Sequence, residues 1–246
     1  MEIPAIRMRL SPRVILPAML AMTLGAASHA AAVTDDQGTA TPPQESTAAE
    51  GEPSPAERRD AAIALFNEGV TALQSDDLTT ANMKFLAANQ ADPEFPEPYR
   101  ALAATAAEAG NWPSAARWAE GLLRFEPANI EAMRTVYFSH LMTGNVGGAR
   151  SSARRLITAD AASLPDVLDH GTTFLSNNDF AMARALLELV TEADASQTDA
   201  LFSLGVSSNG LGDREAARAA FTRFLELAPP DHPDAAAARE MVRFLE

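Results

Sequence analysis

The apolar residues of this chain fall in helix-length blocks, and polar joints of one recurring kind separate these blocks. Each joint contains a residue that tolerates left-handed backbone, then an Asp or Asn, and four residues later an Ala. The five joints are residues 76–81, 110–115, 144–149, 178–183 and 212–217, spaced 34 residues apart. A left-handed residue ends one helix, and an Asx side chain accepts from the first free N–H groups of the next. The pattern therefore predicts helix–turn–helix units in a repeat array.

Around these joints the sequence predicts ten helices in five pairs. Pro93, Pro127 and Pro229 end the second helices of the first, second and fifth pairs, because Pro cannot continue a helix. No stretch rich in β-branched residues and bounded by turn residues indicates a sheet. The predicted bounds are 55–75 with 78–91, 96–109 with 113–125, 129–143 with 146–159, 164–176 with 179–193, and 198–210 with 214–227.

This pattern resembles the tetratricopeptide repeat family over residues 57–231. Large and small residues are paired on the first helices as Leu65 with Gly69, Tyr99 with Ala103, Val167 with Gly171, and Leu201 with Gly205. The corresponding pairs on second helices are Ala81 with Phe85 and Ala217 with Phe221. The resemblance implies an all-α fold, a right-handed α-solenoid of about five helix–turn–helix units with a C-terminal capping helix.

Five positions depart from the family pattern, and two of them, Ala119 and Ala153, stand where the second helix would carry an aromatic residue. Tyr137 stands where the small residue of a first helix would be, and Ala161 and Ala195 replace the terminal Pro. These departures leave the local packing of the third and fourth repeats open.

Composition argues against several kinds of chemistry. The chain has no cysteine, which excludes disulfides, thiolate metal sites and a cysteine nucleophile. The chain has a formal net charge of −14 and lacks the basic patch of a nucleic-acid-binding protein. His140 and His170 lie on first helices and are predicted to be packed structural residues, while His232 lies in a loop. No metal-binding or nucleophile motif is present, so the sequence predicts no enzyme, no cofactor and no metal.

The N-terminal residues are typical of an export signal. Arg7, Arg9 and Arg13 precede an apolar run over residues 14–27, and small residues near Ala30 to Ala32 suit signal peptidase. The run is shorter than the roughly 20 residues of a spanning helix. We expect cleavage and a periplasmic destination. The predicted organisation is a signal peptide over 1–30, a Pro/Thr/Glu-rich linker over 31–56, the repeats over 57–231 and a capping helix over 232–246.

The resemblance implies that first helices line a concave groove for an extended peptide or a partner helix. Carried over by register, its candidate residues are Phe66, Val70, Arg100, Arg134, Phe138, Leu141, Leu168 and Phe202. Two interpretations of this set remain open. In one, the two Arg pair with an acidic group of the ligand. In the other, they pair with Glu97 and Glu131, three residues back, and the Phe residues pack between repeats.

The sequence thus predicts an exported, non-catalytic scaffold that binds an unidentified protein or peptide partner, in assembly or maintenance of the cell envelope, without nucleic acid. One alternative is a homo-oligomer that associates through the same apolar surfaces or through Phe244 and Leu245 of the capping helix. Another is an inner-membrane protein that keeps its N-terminal segment as an anchor.

Overall fold

The computed structural model describes residues 53–246, and the regular secondary structure of this range is entirely helical. None of its helices is long and apolar enough to span a bilayer. A 3-10 turn, Ala161–Ser163, lies immediately before the helix that begins at Leu164. The helices are α1 (Pro55–Gln74), α2 (Leu78–Ala91), α3 (Pro96–Glu108), α4 (Trp112–Leu123), α5 (Ile130–Met142), α6 (Val146–Ala159), α7 (Leu164–Ser176), α8 (Phe180–Ala193), α9 (Thr198–Gly210), α10 (Arg214–Leu227) and α11 (Ala235–Phe244).

The ten paired helices lie within two residues of their predicted bounds, and α11 lies inside residues 232–246, where the capping helix is predicted, which confirms the all-α fold of consecutive helix pairs. The predicted signal peptide, and most of the predicted linker, lie outside the described residues.

The five joints have the backbone that the sequence predicts. The helix-ending residue of each has a positive φ, from +58° to +78°. These residues are Asp76, Gly110, Gly144, Asn178 and Gly212. The Asx residue that follows accepts a hydrogen bond from the backbone N–H three residues on, at 2.9–3.2 Å in every joint. Each turn is therefore closed by its own local hydrogen bond.

The chain divides into two compact units at Asp92 and Pro93. In the described part of the first unit, α1 packs against α2. The Phe85 ring is fully buried there, 5.3 Å from the ring of Phe66. A Cβ atom on Gly69 would lie 2.6 Å from the Phe85 ring, so the close approach of the two helices requires glycine.

The second unit, Pro93–Glu246, holds four helix pairs and α11. Second helices contact the next first helix at two junctions, α4 with α5 and α8 with α9. Between the third and fourth repeats, the backbone of α6 instead contacts α8 more extensively than it contacts α7. Here Tyr137, 2% exposed, fills the space that a small residue would leave, and the 3-10 turn lengthens the connection. This arrangement settles the packing that the sequence left open.

Ion pairs cross the same junction. Arg150 lies 3.0 Å from Glu188 and 3.2 Å from Glu192, and Arg154 lies 2.6 Å from Glu192. A cavity of about 230 Å³, lined in part by Ile157, opens beside them. Because these side chains are partly exposed, each pair contributes little free energy of folding, roughly 0–1 kcal/mol.

Helix α11 packs on α10 at the end of the second unit. Leu245 is buried in the cluster that contains Phe221 and Phe224, and Met241 and Val242 pack against it. Met241, Val242 and Leu245 thus hold the C-terminal segment against this cluster.

Candidate partner-binding surface

The two Arg residues predicted to face a ligand are paired within the second unit. Arg100 donates from Nη2 to Oε1 of Glu126 at 2.6 Å. Arg134 donates from Nη1 to Oδ2 of Asp166 at 3.0 Å. The ion pairs of both Arg thus involve acids other than Glu97 and Glu131, so the predicted i, i+3 pairing is wrong about the partners.

Arg134 has two further acceptors at the start of the next repeat. Its Nη2 atom donates to the Ser163 hydroxyl at 3.0 Å and lies 3.4 Å from Oδ2 of Asp160. The Ser163 hydroxyl also donates to Asp160 at 3.0 Å. This hydrogen bond, together with the Ala162 N–H and Arg134, holds the pKa of the Asp160 carboxyl below its usual value. The carboxylate therefore stays charged as an acceptor for Arg134.

These acceptors belong to a second recurring signal that sequence reasoning missed. An acidic residue follows the second helix of each of the first four repeats, again 34 residues apart: Asp92, Glu126, Asp160 and Asp194. Three of them bind Arg, since Arg59 also pairs with Asp92 in the first unit. The Asp194 carboxylate instead accepts from Ser196 and Gln197. The period was visible in the sequence, but the Arg partners lie 26 or 33 residues away along the chain.

The apolar candidates divide between core and surface. Leu141 is 2% exposed and Phe66 is 8% exposed, so both are core residues that offer almost no surface to a partner. Val70, on α1 of the first unit, is half-buried. Phe138 and Phe202, on first helices of the second unit, are also half-buried.

Four half-buried apolar side chains of the second unit, Phe138, Leu168, Phe202 and Val206, form what we call the first-helix surface. Phe138 lies on α5, Leu168 on α7, and the other two on α9. Within the 34-residue register, Leu168 and Phe202 occupy one row, and Phe138 and Val206 another. In the first of these rows the earlier repeats carry Arg100 and Arg134. This row is thus ionic in the second and third repeats and apolar in the fourth and fifth.

Packing holds the aromatic members of this surface in place. The Phe202 ring lies 5.6 Å from that of Phe221 and 5.4 Å from that of Phe224. The Phe138 ring meets His170 edge-on at 5.4 Å. The Phe202 ring is thus held against two buried rings and the Phe138 ring against His170, so the exposed side of each has a fixed position.

His170 is a packed structural residue, as predicted. Its Nδ1 atom lies 3.0 Å from the hydroxyl of Tyr137, across the junction between α5 and α7. Burial lowers the pKa of the imidazole, against the opposing effect of Asp169 and Asp166. Burial also raises the pKa of the Tyr137 hydroxyl. Both groups are therefore neutral at neutral pH in the folded protein, and the hydroxyl and the imidazole share one hydrogen bond.

The stability of the protein should depend on pH through His170. Its pKa is lower in the folded state than the ordinary value of 6.5, so protonation favours unfolding. The free energy of folding that depends on a neutral His170 is fully present above about pH 6.5 and is lost as the pH falls below that value. Urea denaturation at about pH 7.5 and about pH 5.5 should show a larger loss for the wild type than for His170→Gln. Equal losses in the two proteins would contradict this assignment.

The other two described histidines also contact neighbouring side chains. Nδ1 of His140 lies 3.3 Å from the Asn145 amide nitrogen, and the His232 ring packs edge-on against Phe224 at 5.0 Å. Residues 53–246 contain no group of three or more His, Asp or Glu side chains placed to hold a metal ion. The first-helix surface and the Arg ion pairs next to it in sequence register are therefore apolar and ionic groups suited to contacts with another molecule.

No protein-family model and no curated protein matches the chain. Solved structures similar to it include MamA, at 18% identity over 73% of this chain and 95% of that chain, with a TM-score of 0.46. YrrB, described as a TPR protein with an unusual peptide-binding site, is 18% identical over 75% of this chain and 95% of the YrrB chain, with a TM-score of 0.44. TTC0263 of Thermus thermophilus, a thermophilic TPR protein, has 18% identity over 74% and 100%, with a TM-score of 0.37.

The repeat geometry decides the fold, because five helix pairs recur at 34 residues with the same left-handed joint and the same Asx cap. The described chain has the tetratricopeptide-repeat fold. Its characteristic contact, a small residue of the first helix against an aromatic of the second, is present in the first and fifth tetratricopeptide repeats. There Gly69 meets Phe85 and Gly205 meets Phe221, and neither leaves room for a Cβ atom.

Proposed function

We propose that this protein is a non-catalytic scaffold that binds a protein partner through the first-helix surface. The observation that carries the proposal is the set of half-buried apolar side chains on α5, α7 and α9, among which the Phe138 ring packs against His170 and the Phe202 ring against Phe221 and Phe224. A preformed surface loses little conformational entropy when it is covered, so the binding energy is used mainly to order the partner.

The proposal includes export to the periplasm, with a role in assembly or maintenance of the cell envelope. Its support is the sequence of residues 7–32, where three Arg, a short apolar run and small residues follow each other as in a secretory signal. N-terminal sequencing of the protein from a periplasmic fraction should find a start near residue 31. A chain that begins at Met1 and stays with the membrane would favour the anchored alternative.

Site-specific photocrosslinking in cells tests the binding surface. A photoreactive residue placed singly at Phe138, Leu168 or Phe202 should give one common protein adduct. Matched positions on exposed second-helix surfaces, Thr158 and Ala219, should not give it. Adducts of equal strength at all five positions would contradict the proposed surface.

Self-association is a second candidate function, favoured by the exposure of Phe244. This side chain is 67% exposed, and the guanidinium of Arg214 lies 5.2 Å from its ring centroid. Leu245, the other residue predicted for such a contact, is only 6% exposed and belongs to the core. Concentration-dependent sedimentation that Phe244→Ser abolishes would support this alternative, and crosslinks only between copies would replace the partner proposal.

A further inference from the structure

Charge is divided between the two kinds of helix in the second unit. Taken together, the first helices α3, α5, α7 and α9 carry more acidic than basic residues, whereas the second helices α4, α6, α8 and α10 together carry more Arg than Glu, although α8 alone has two Glu and one Arg. The charged residues of the first helices are Glu97, Glu108, Glu131, Asp166, Asp169 and Asp199, with Arg100 and Arg134. Those of the second helices are Arg117, Arg150, Arg154, Arg155, Arg184, Arg214, Arg218 and Arg223, with Glu120, Glu188, Glu192, Glu215 and Glu226.

The two Arg of the first helices do little to offset this acidity. Arg100 is paired with Glu126, and Arg134 is paired with Asp160 and Asp166. An acidic ligand would have to displace these carboxylates before either guanidinium could bind it. The sequence-based interpretation, in which the Arg pair with a ligand acid, therefore loses its support.

Exposed carboxylates lie on the same helices as Leu168 and Phe202. Asp169 is the exposed neighbour of Leu168 on α7. Asp199 precedes Phe202 by one helical turn on α9, and its side chain is 74% exposed. A partner that covers the first-helix surface must approach these charges.

We propose that the partner segment is cationic and amphipathic, with apolar side chains on one side and Lys or Arg flanking them. This inference rests on the proposed function and names the partner's chemistry. Apolar side chains would cover Phe138, Leu168, Phe202 and Val206, while the flanking cations meet Asp169 and Asp199. An acidic segment and an anionic membrane would both meet repulsion at these first helices.

The test uses the protein purified after export and three fluorescent peptides of about 18 residues, or five helical turns. The first peptide has Leu at i, i+3, i+4 and i+7 with Lys elsewhere. The second has Glu in place of Lys, and the third has Ser in place of Leu. Fluorescence anisotropy should show binding of the Leu/Lys peptide and much weaker binding of the other two.

Charge-reversal variants then locate the site. Asp169→Lys with Asp199→Lys should weaken binding of the Leu/Lys peptide about tenfold, because two attractions become repulsions. The matched control, Glu215→Lys with Glu240→Lys, makes the same change in net charge on α10 and α11 and should weaken it less than about twofold. Circular dichroism checks that both variants are folded.

Several outcomes would overturn the inference. Equal weakening by both double variants would show attraction to net charge alone, and equal binding of the Leu/Glu peptide would exclude a cationic partner. A failure of the Leu/Lys peptide to bind would also overturn the inference. The same holds if sedimentation shows that the charge-reversal effect comes from contact between copies of the protein. If photocrosslinks at Phe138, Leu168 and Phe202 persist in these cases, the proposed function stands and only the partner chemistry is wrong. If the crosslinks are also absent, the proposed function fails as well.

Discussion

Phe221→Ala should lower the free energy of unfolding by about 3–5 kcal/mol. The ring is fully buried in the cluster that includes Leu201, Phe224 and Leu245. One side lies directly on the backbone of Gly205, where a Cβ atom would be only 2.7 Å away. Helix backbone cannot move in to fill the space, so most of the cavity should remain. Urea denaturation followed by far-ultraviolet circular dichroism measures the change.

Phe244→Ala is the matched control, because it removes the same side chain from α11, where the ring is 67% exposed. The Arg214 guanidinium lies over this ring and also donates to the Phe244 backbone carbonyl, a hydrogen bond that the substitution leaves in place. We expect a change of less than about 1 kcal/mol. Similar losses for both variants would mean that the buried cluster does not anchor the end of the second unit.

Gly121→Ala should lower the free energy of unfolding by about 1–3 kcal/mol, although Ala is the better helix former. Gly121 lies on α4, and its Cβ atom would be 2.4 Å from the Tyr99 ring. That ring is held from other sides by Trp118 and Phe125, with centroids 5.7 and 5.4 Å away. The Tyr99 hydroxyl also donates to the Pro93 carbonyl at 3.1 Å. Because the ring cannot move aside, overpacking outweighs helix propensity.

Gly147→Ala makes the identical change where the space is open. Its Cβ atom would meet nothing closer than 4.0 Å, and the residue lies in the first turn of α6. Only the gain in helix propensity remains, so we expect a stabilisation of about 0.5 kcal/mol. The two Gly→Ala changes should therefore have opposite signs in the same denaturation assay. A stabilising Gly121→Ala would show that Tyr99 can relax.

The helix bounds could be predicted because their causes lie within a few residues along the chain. A left-handed Gly144 and an Asn145 cap specify a turn without any tertiary contact. The same is true of Asp76 and Asp77, although Asp is an uncommon residue at positive φ. Period, cap and stop signal together determine where each helix begins and ends.

The surface could be predicted only in part, because a side chain's environment depends on distant elements. Leu141 and Phe138 are both apolar residues of α5, yet the first is core and the second is half-buried. Glu126 and Asp160, which pair with Arg100 and Arg134, follow second helices and lie 26 residues further along the chain, and Asp166, the other partner of Arg134, lies on the next first helix. The 34-residue repeat predicts which residues share a row on the first helices. It does not predict how exposed each side chain is or which ion pair it forms.

The contact between α6 and α8 has a consequence for the cooperativity of unfolding. In repeat arrays each unit is coupled only to its neighbours, so the weakest junction sets where blocks of repeats separate. Here the junction contains the Arg150 and Arg154 ion pairs, which salt screens, and the Tyr137–His170 hydrogen bond, which acid disturbs. Salt concentration and pH thus both act on this junction between the third and fourth repeats. High salt and mild acid should therefore weaken the coupling between the second and third repeats on one side and the fourth and fifth on the other.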